Sequence, residues 1–310
     1  MPLAKVTYMN KDFKSGFVAI IGRPNVGKST LLNQFLKQKV VIVSPKAQTT
    51  RNKIQGIYTD DEAQIIFIDT PGVHKAKTEL GKVMNEFAAS SIAGVDAVIF
   101  IVEANKKLGT GDEFIISELL KAKIPTILVA NKVDLVENQQ QLEENMNSYK
   151  EAFPFVSGIA ISATNNYLVD DLLNIIKSNL DKGPMYYPED QLLDQPERFV
   201  VAEIIREKVL LNTSEEVPHS VAVEVESFKQ APNNPNLTEI HATIIVERQS
   251  QKKIIIGAKG SKIKEIGRLA RIDISNLLGN KVYLELFVKV EEDWRNQKKQ
   301  LRTFGYFNEV

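Results

Sequence analysis

Hydrophobic positions in the first half of the chain follow two alternating patterns. Short runs rich in valine and isoleucine, among them 17–22, 64–69 and 96–102, predict strands buried on both faces of a mostly parallel sheet. Longer amphipathic segments at 29–38 and 111–122 predict helices between these strands. Strands that alternate with helices indicate a doubly wound α/β domain. The same pattern predicts further strands at 53–59, 125–130 and 157–162 and a helix at 168–180.

The pattern changes at 181–196, where three prolines and four acidic residues predict a linker. The order of elements beyond this stretch is typical of a small α+β domain. We therefore predict an α/β domain at 14–181, a linker at 182–196, an α+β domain at 197–293, and a C-terminal helix and tail at 294–310. The α+β elements are a helix at 197–211, strands at 220–228 and 238–247, a helix at 251–256, a Gly-Ala-Lys-Gly turn, a helix at 262–277 and a strand at 281–290.

Composition excludes several classes of protein. The 310 residues include no cysteine, which rules out disulfides, thiolate zinc sites, iron–sulfur clusters and cysteine nucleophiles, and three histidines leave little for a His-rich metal site. No apolar run approaches the roughly 18 residues of a transmembrane helix. Residues 1–16 lack the apolar core of a signal peptide, so we expect a cytoplasmic protein.

The clearest chemical signal is GRPNVGKS at 22–29, which fits GxxxxGK[ST] between a predicted strand and a predicted helix. Glycines let the backbone curl so that several N–H groups face a phosphate, and the helix N-terminus adds partial positive charge. Lys28 then reaches the β- and γ-phosphates, and Ser29 offers an oxygen to Mg²⁺.

Two further motifs follow predicted core strands. Asp69 in DTPG stands where a carboxylate holds Mg²⁺, and Gly72 lets its N–H approach a γ-phosphate. Asp134 in NKVD can accept two hydrogen bonds from the N1–H and N2–H₂ edge of guanine, a donor pair that adenine lacks. The last strand ends at Ser162 and Ala163, from which we expect a backbone N–H for guanine O6.

These stretches, with QTTR at 48–51 and SAT at 162–164, resemble the five motifs of translation-factor-class GTPases in order and spacing. The resemblance implies a switch that binds GTP or GDP with Mg²⁺ and hydrolyses GTP. Its metal ligands would be Ser29, Asp69 and a switch threonine, for which we choose Thr50, with Thr49 the close alternative. The catalytic residues would be Lys28, Thr50 and Gly72. The GTP-binding set is Gly22, Arg23, Pro24, Asn25, Val26, Gly27, Lys28, Ser29, Thr30, Asp69, Thr70, Pro71, Gly72, Val73, Asn131, Lys132, Asp134, Ser162 and Ala163.

One position departs from the Ras-like pattern. Ras-like enzymes place a glutamine directly after DxxG to orient the attacking water, but this chain has Val73 there. The chain thus resembles GTPases with a hydrophobic substitution at that site, and we expect slow intrinsic hydrolysis. In some of these proteins an asparagine that matches Asn25 helps to bind K⁺ beside the phosphates.

The second domain carries a weaker motif, which lies between two predicted helices. Gly257–Gly260 fits GxxG between two predicted helices, and the element order resembles a type II KH domain. In KH domains this loop clamps the backbone of single-stranded nucleotides. Residues 248–271 hold eight basic side chains against one acid, which indicates a basic face that the 39 acidic and 39 basic residues of the whole chain conceal. The RNA-binding set is Lys252, Lys253, Ile256, Gly257, Ala258, Lys259, Gly260, Lys262 and Arg268.

Taken together, the GTPase motifs, the short linker and the KH pattern resemble the Era family of bacterial GTPases over nearly the whole chain. That resemblance implies binding of 16S rRNA near its 3′ end and a role in maturation of the small (30S) ribosomal subunit. It also implies peripheral association with the inner face of the cell membrane, and we expect a monomer.

Alternatives remain open at this level. An RNA-binding protein that uses GTP mainly as a structural ligand fits the missing glutamine, and GxxG does not distinguish RNA from single-stranded DNA. A P-loop phosphotransferase for small molecules is disfavoured by NKVD and by the lack of a lid. The C-terminal aromatic residues Trp294, Phe304 and Tyr306 can stack on bases or pack against their own domain.

Overall fold

A computed structural model describes residues 12–46, 48–72, 78–214 and 217–306. Two sheets organise the chain. The first has six strands in the order β2-β3-β1-β4-β5-β6, and the second has three in the order β7-β8-β9. The strands are β1 (Lys14–Ile21), β2 (Ile54–Thr59), β3 (Ala63–Asp69), β4 (Ala97–Glu103), β5 (Thr126–Asn131), β6 (Ser157–Ala160), β7 (Ala222–Ala231), β8 (Asn234–Val246) and β9 (Lys281–Val290).

The six-stranded sheet is parallel except at β2, which pairs antiparallel with β3. Its central strands are buried along almost their whole length, as the continuous apolar runs predicted, because helices cover both faces. The doubly wound α/β prediction is confirmed. The helices that accompany this sheet are α1 (Lys28–Phe35), α2 (Glu79–Ser90), α3 (Thr110–Ala122), α4 (Gln139–Ala152) and α5 (Val169–Ser178).

In the second domain, β7 and β8 are antiparallel while β8 and β9 are parallel. Helices pack on one face of this sheet around a core of aliphatic residues such as Ile205, Ile244 and Ile266, none of which reaches solvent. The element order is the predicted α-β-β-α-α-β arrangement of a type II KH domain. Its helices are α6 (Glu197–Asn212), α7 (Gln249–Ile256) and α8 (Ser261–Leu278), and α9 (Lys298–Thr303) follows the last strand.

The stretch predicted as a linker is packed rather than free. The backbone N–H of Ile57 donates to the carbonyl oxygen of Leu192 at 2.8 Å. The buried amide of Gln64 accepts hydrogen bonds from the backbone N–H groups of Tyr186 and Tyr187 at 2.7 and 2.9 Å. The segment therefore covers the outer edge of β2, an edge that would otherwise present unpaired backbone groups.

The C-terminal segment packs against the protein, which settles the choice left open for its aromatic residues. Trp294 is fully buried, its indole N–H donates to the carbonyl oxygen of Ser220 at 2.9 Å, and its ring stacks on Tyr306 at 5.8 Å between centroids. Leu80 and Met84 of α2, in the first domain, pack into the same cluster. The aromatic residues thus join the two domains instead of facing a nucleic acid.

Candidate nucleotide site and RNA cleft

A cavity of about 400 Å³ lies at the carboxyl ends of the parallel strands, where β1 separates β3 from β4 and the strand order reverses. Ligands of open α/β sheets bind at such a point because loops diverge there. The cavity is lined by the predicted metal ligand Thr50 and by ten of the predicted GTP-binding residues: Pro24, Asn25, Gly27, Lys28, Ser29, Thr30, Gly72, Asn131, Lys132 and Asp134.

The loop between β1 and α1 has the backbone conformation that phosphate binding needs. Asn25 and Gly27 both adopt positive φ, at 65° and 105°, which turns successive N–H groups toward one point. A Cβ on Gly27 would lie 2.2 Å from the side-chain nitrogen of Asn131, and one on Gly22 would lie 2.3 Å from the carbonyl oxygen of Ile101. Close packing as well as φ thus requires glycine at 27, and close packing requires it at 22.

Lys28 is buried within this loop. Its ammonium donates to the carbonyl oxygens of Gly22 and Arg23 at 3.1 and 3.0 Å. Burial lowers the pKa of Lys28 to about 8, and the nearby Asp69 carboxylate opposes that shift. A phosphate entering the cavity would give this ammonium a full counter-charge, which two carbonyl oxygens do not supply.

Three oxygen ligands meet on one wall of the cavity. Ser29 Oγ lies 2.9 Å from Thr50 Oγ1 and donates to Asp69 Oδ2 at 2.8 Å, while Thr50 Oγ1 donates to the same oxygen at 3.4 Å. Burial raises the pKa of Asp69, with Lys28 and the two hydroxyl groups opposing it. The hydroxyl of Thr49 instead donates to the carbonyl oxygen of Lys46 at 2.7 Å. Geometry therefore favours Thr50 over Thr49 at this wall.

These residues suit Mg²⁺ by their chemistry. Asp69 Oδ1 is buried and has no hydrogen-bond partner among the described residues, so one carboxylate oxygen is left for a cation or its water. Mg²⁺ uses one or two carboxylates together with substrate phosphates rather than a cage of protein ligands. In agreement, the described part of the chain contains no group of three or more His, Cys, Asp or Glu residues placed to hold a metal by themselves.

The opposite end of the cavity carries the residues expected to recognise guanine. Asn131 connects two loops, since its side-chain nitrogen donates to the carbonyl oxygen of Val26 at 2.8 Å and its oxygen accepts the N–H of Ala163 at 2.9 Å. Lys132 at φ 64° turns the chain so that Asp134 lies exposed at the cavity. The carboxylate that would read the base is thus presented by backbone geometry.

The expected donor to guanine O6 is not offered in this structure. The N–H of Ala163 is donated to Asn131, and the N–H of Ser162 is donated to the carbonyl oxygen of Tyr167 at 3.2 Å. Thr164, the next residue along the chain, lines the cavity instead. The SAT motif thus lies at the cavity, and hydrogen bonds to distant residues decide which of its N–H groups remains available.

Some predicted residues support the site without lining it. The Arg23 side chain points to α3, where it lies 3.6 Å from Asp112, and the hydroxyl of Thr70 donates to the carbonyl oxygen of Ile20 at 3.0 Å. Val26 is buried in the core, and Gly22, Asp69, Pro71, Ser162 and Ala163 are not among the residues that line the cavity, although Asp69 contacts two that are. The predicted role of Val73 lies outside the described residues.

Sequence reasoning missed a whole side of the cavity. The segment 42–45, with Gln48, crosses the opening, and Asn25 donates from its side chain to the carbonyl oxygen of Pro45 at 3.0 Å. Leu135 contributes apolar surface beside Asp134. Positions 42–45 carry no motif of their own, while Gln48 begins QTTR and Leu135 directly follows NKVD.

The GxxG loop joins α7 to α8 through a tight turn. Gly257 and Gly260 adopt positive φ of 70° and 78°, and Lys259 does so at 49°. A Cβ on Gly257 would lie 2.7 Å from the Cβ of Lys262, whereas one on Gly260 would meet nothing within 4 Å. Ala258 and Lys259 between them are exposed. The turn therefore presents its backbone to solvent, as close approach by a nucleic acid requires.

An open cleft runs beside this loop between α8 and β9. It measures about 330 Å³ and is lined by Ile263, Lys264, Gly267, Arg268, Arg271, Leu284, Glu285 and Leu286. Gly267 keeps the cleft floor low, since a Cβ there would approach Leu286 to 3.4 Å. Arg268 was predicted for RNA, and its guanidinium is held by Glu265 at 2.7 Å. The apolar floor had not been predicted, because it forms only where α8 packs against β9, and Arg271 had been counted only among the basic residues of 248–271.

Comparisons with known proteins agree with this geometry. A family model described as 50S ribosome-binding GTPase matches residues 17–132, and a KH domain model matches residues 216–295. The fold and the site therefore define a P-loop GTPase joined to a C-terminal KH domain. Similar solved structures include Aquifex aeolicus Era bound to GDP and aluminium fluoride, at 42% identity and a TM-score of 0.91 over 95% of this chain and 99% of that one.

A second similar structure is Era in complex with Mg-GDPNP and nucleotides 1506–1542 of 16S ribosomal RNA, at 42% identity, with a TM-score of 0.92 and the same coverage of both chains. The chain belongs to the Era family. The resemblance drawn from the sequence motifs is thereby confirmed, as are GTP hydrolysis as the activity class and guanine nucleotide with Mg²⁺ as its ligands. No helix in the described ranges combines the length and the apolar character needed to cross a bilayer.

Proposed function

We propose that this protein is a GTP-hydrolysing switch that binds 16S rRNA near its 3′ end and assists maturation of the small ribosomal subunit. The observation that carries the proposal is that one chain joins a cavity holding the Ser29–Thr50–Asp69 cluster to an open cleft beside a GxxG loop. The Era complex with Mg-GDPNP and nucleotides 1506–1542 of 16S rRNA, which shares 42% identity with this chain, supports the same pairing of ligands.

In the hydrolysis reaction each residue has a role that follows from its position. Lys28 binds the β- and γ-phosphates, and the N–H of Gly72 contacts the γ-phosphate as charge develops there. Ser29 and Thr50 are the hydroxyl ligands for Mg²⁺, with Asp69 acting through its free oxygen. When bound, Mg²⁺ neutralises the negative charge that builds between the β- and γ-phosphates.

On the RNA side, the GxxG loop would hold the backbone of a few nucleotides while bases enter the cleft. Lys252, Lys253, Lys259 and Lys262 surround the loop and supply charge for phosphates. Leu284 and Leu286 supply apolar surface for base faces. The RNA-binding set thus extends beyond the loop to the floor of the cleft.

Several finer predictions are also proposed. They are K⁺ binding near Asn25, slow hydrolysis because of Val73, peripheral membrane association, a cytoplasmic location and a monomeric state. The boundaries at 14–181, 182–196, 197–293 and 294–310 are likewise proposed as the divisions of the chain.

The RNA assignment is tested with Ala258→Asp combined with Lys259→Asp. Both side chains are exposed, and aspartate tolerates the positive φ at 259, so the fold should persist. We expect affinity for a single-stranded RNA with the 16S 3′-end sequence to fall by about 10- to 100-fold, with GTP affinity unchanged.

Lys150→Asp, at an exposed end of α4, is the matched control for the added charge and should leave RNA binding intact. Deoxyribonucleotide of the same sequence serves as competitor. Equal binding of both variants to RNA, or equal affinity of the native protein for DNA and RNA, would argue against the proposal.

A further inference from the structure

The residue after the switch threonine reaches across to the KH domain. Arg51 directly follows Thr50, yet its side chain is only 1% exposed and its guanidinium lies in the second domain. It donates to the carbonyl oxygens of Val221, Pro218 and His219 at 2.6, 3.1 and 3.2 Å. The rings of Trp294 and Tyr306 flank it, each with its centroid 5.9 Å from the guanidinium carbon.

The contacts in this pocket offset the free-energy cost of burying the charged Arg51 side chain. Removing a cation from water is unfavourable unless hydrogen bonds and opposite charge or aromatic faces replace the water. Burial lowers the pKa of Arg51, and the Tyr306 hydroxyl opposes that change. All the acceptors named here belong to the KH domain or the C-terminal segment, so Arg51 stays buried only while the two domains remain in contact.

The residue before the threonine is held from the same side. Arg206 on α6 donates from Nη2 to the carbonyl oxygen of Thr49, and from Nη2 and Nε to the Glu203 carboxylate at 2.6 and 2.7 Å. Burial alone would lower the pKa of Arg206, but Glu203 outweighs burial and raises it. The guanidinium is therefore charged and fixed, and it fixes the peptide group that precedes Thr50.

Thr50 thus lies between two anchors that the KH domain supplies. Fixing the backbone of one residue costs about 1–2 kcal/mol, so a loop residue is held in one position only where contacts offset that cost. Here the KH domain holds the carbonyl oxygen of Thr49 and the guanidinium of Arg51, and the Thr50 hydroxyl between them lies 2.9 Å from Ser29 Oγ. Helix α2, which follows the DTPG motif, meets the same domain interface, because Leu80 and Met84 pack beside Trp294.

We infer that the KH domain positions the switch threonine for GTP hydrolysis, with Arg206 and Arg51 as positioning residues on either side of Thr50. The inference rests on the proposed role of Thr50 as a Mg²⁺ ligand. The alternative is that both arginines only hold the domains together, as other contacts between the domains do.

The experiment compares Arg206→Met and Arg51→Met in the full-length protein under single-turnover conditions. We expect GTP hydrolysis to slow by at least about tenfold, because misplacement of a reacting group by about 1 Å can cost on the order of 100-fold. The Mg²⁺ concentration for half-maximal rate should rise, while GDP affinity changes by less than about twofold, because GDP lacks the γ-phosphate that the switch residues contact.

Lys39→Met is the matched control. Lys39 belongs to the first domain and pairs with Glu207 and Asp273 of the KH domain at 2.7 and 3.1 Å, but it does not flank Thr50. If the arginines act as positioning residues, Lys39→Met hydrolyses GTP at the native rate. An equal loss in all three variants would mean that domain contact alone matters and would overturn the inference.

A double-mutant cycle separates positioning from a general defect. Thr50→Ala removes the hydroxyl, so adding Arg206→Met to Thr50→Ala should slow hydrolysis no further. A further tenfold loss in the double variant, or native hydrolysis by Arg206→Met, would overturn the inference. Absence of hydrolysis by the native protein would instead contradict the proposed function.

Trp294 reports whether the variants remain docked, since it is the only tryptophan in the chain and is fully buried between the domains. Acrylamide should quench its fluorescence equally in native protein and in Arg206→Met. With quenching unchanged, slower hydrolysis supports positioning. Quenching that rises in step with the loss of activity would show undocking and overturn the inference.

Discussion

At the scale of single residues, we propose that the choice of nucleotide depends on Asp134. The carboxylate is exposed at the cavity because Lys132 turns the chain at positive φ and Asn131 ties that turn to the phosphate loop. Such a carboxylate accepts two N–H groups of guanine at once, and each hydrogen bond to a charged group contributes about 1.5–3 kcal/mol. In this proposal Lys28 and the oxygen cluster at Asp69 bind phosphates and metal, and so do not discriminate between bases.

Asp134→Asn should therefore reverse the base preference. An amide cannot accept both guanine donors, and we expect GTP affinity to fall on the order of 100-fold, the loss of about one charged hydrogen bond. Xanthosine triphosphate, which carries a carbonyl at that edge, should become the preferred ligand. Nucleotide competition measures the ratio, with Asp170→Asn in the exposed first turn of α5 as control. An unchanged GTP/XTP ratio would contradict the assignment.

At the scale of elements, helices α6 and α8 hold the KH domain against the first domain through four charges. Lys208 lies 2.8 Å from Glu207 and 2.5 Å from Asp273, and Lys39 bridges the same two carboxylates. Glu207 also accepts the backbone N–H of Val43 at 2.9 Å, so this cluster continues into the loop that crosses the nucleotide cavity. Each positive charge faces two negative ones, an arrangement that offsets their partial burial.

Removing one member of this cluster should destabilise the protein. For Asp273→Asn we expect the free energy of unfolding to fall by about 1–3 kcal/mol, measured by denaturant titration. Burial alone would raise the pKa of Asp273, but hydrogen bonds from Lys208 and Lys39 outweigh it and lower the pKa. The stabilisation is thus present above the unfolded pKa of about 3.9 and is lost as pH falls through the lower folded value.

The difference between native protein and Asp273→Asn should accordingly shrink as the pH is taken below about 4. Glu118→Gln, which removes an exposed ion pair with Lys121, is the control and should change stability by less than about 1 kcal/mol. A difference that is independent of pH would show that Asp273 acts through packing rather than charge.

At the scale of the whole molecule, nucleotide and RNA sites share one framework. The KH domain contacts the loop around Thr50 through Arg51 and Arg206, and α2 of the first domain packs into the cluster around Trp294. The RNA cleft is lined by KH residues alone. Any ligand that changes the switch loops therefore acts on the domain that carries the cleft.

We predict that the GTP-bound form binds the 16S 3′-end RNA more tightly than the GDP-bound form, because ordered switch loops dock the KH domain. Coupling of this kind is typically about 5- to 150-fold, and it is reciprocal, so RNA must favour GTP over GDP by the same factor. Titrations of RNA at saturating GTP analogue or GDP, and of nucleotide with and without RNA, check both halves. Equal RNA affinity in all nucleotide states would leave two independent modules.

The sequence by itself determined those parts that act through chain neighbours. The phosphate loop, the guanine motif and the GxxG turn were predicted because each depends on a few contiguous residues and their backbone conformation. The strands were predicted because burial on both faces gives a continuous apolar run, and the helices because burial of one face gives an amphipathic pattern. The structure placed ten of the predicted GTP-binding residues around a single cavity. It did so because loops after parallel strands meet at one edge of the sheet.

Only the tertiary structure decided what depends on residues far apart in the chain. In the structure the hydroxyl of Thr50, and not that of Thr49, contacts Ser29. The N–H of Ala163 is hydrogen-bonded to Asn131, and the C-terminal aromatic residues are buried between the domains. The side chain of Arg51 likewise binds in a pocket that includes Val221, 170 residues further along the chain. Local pattern cannot foresee such contacts, because hydrogen bonds and packing between distant segments exist only once both domains are in place.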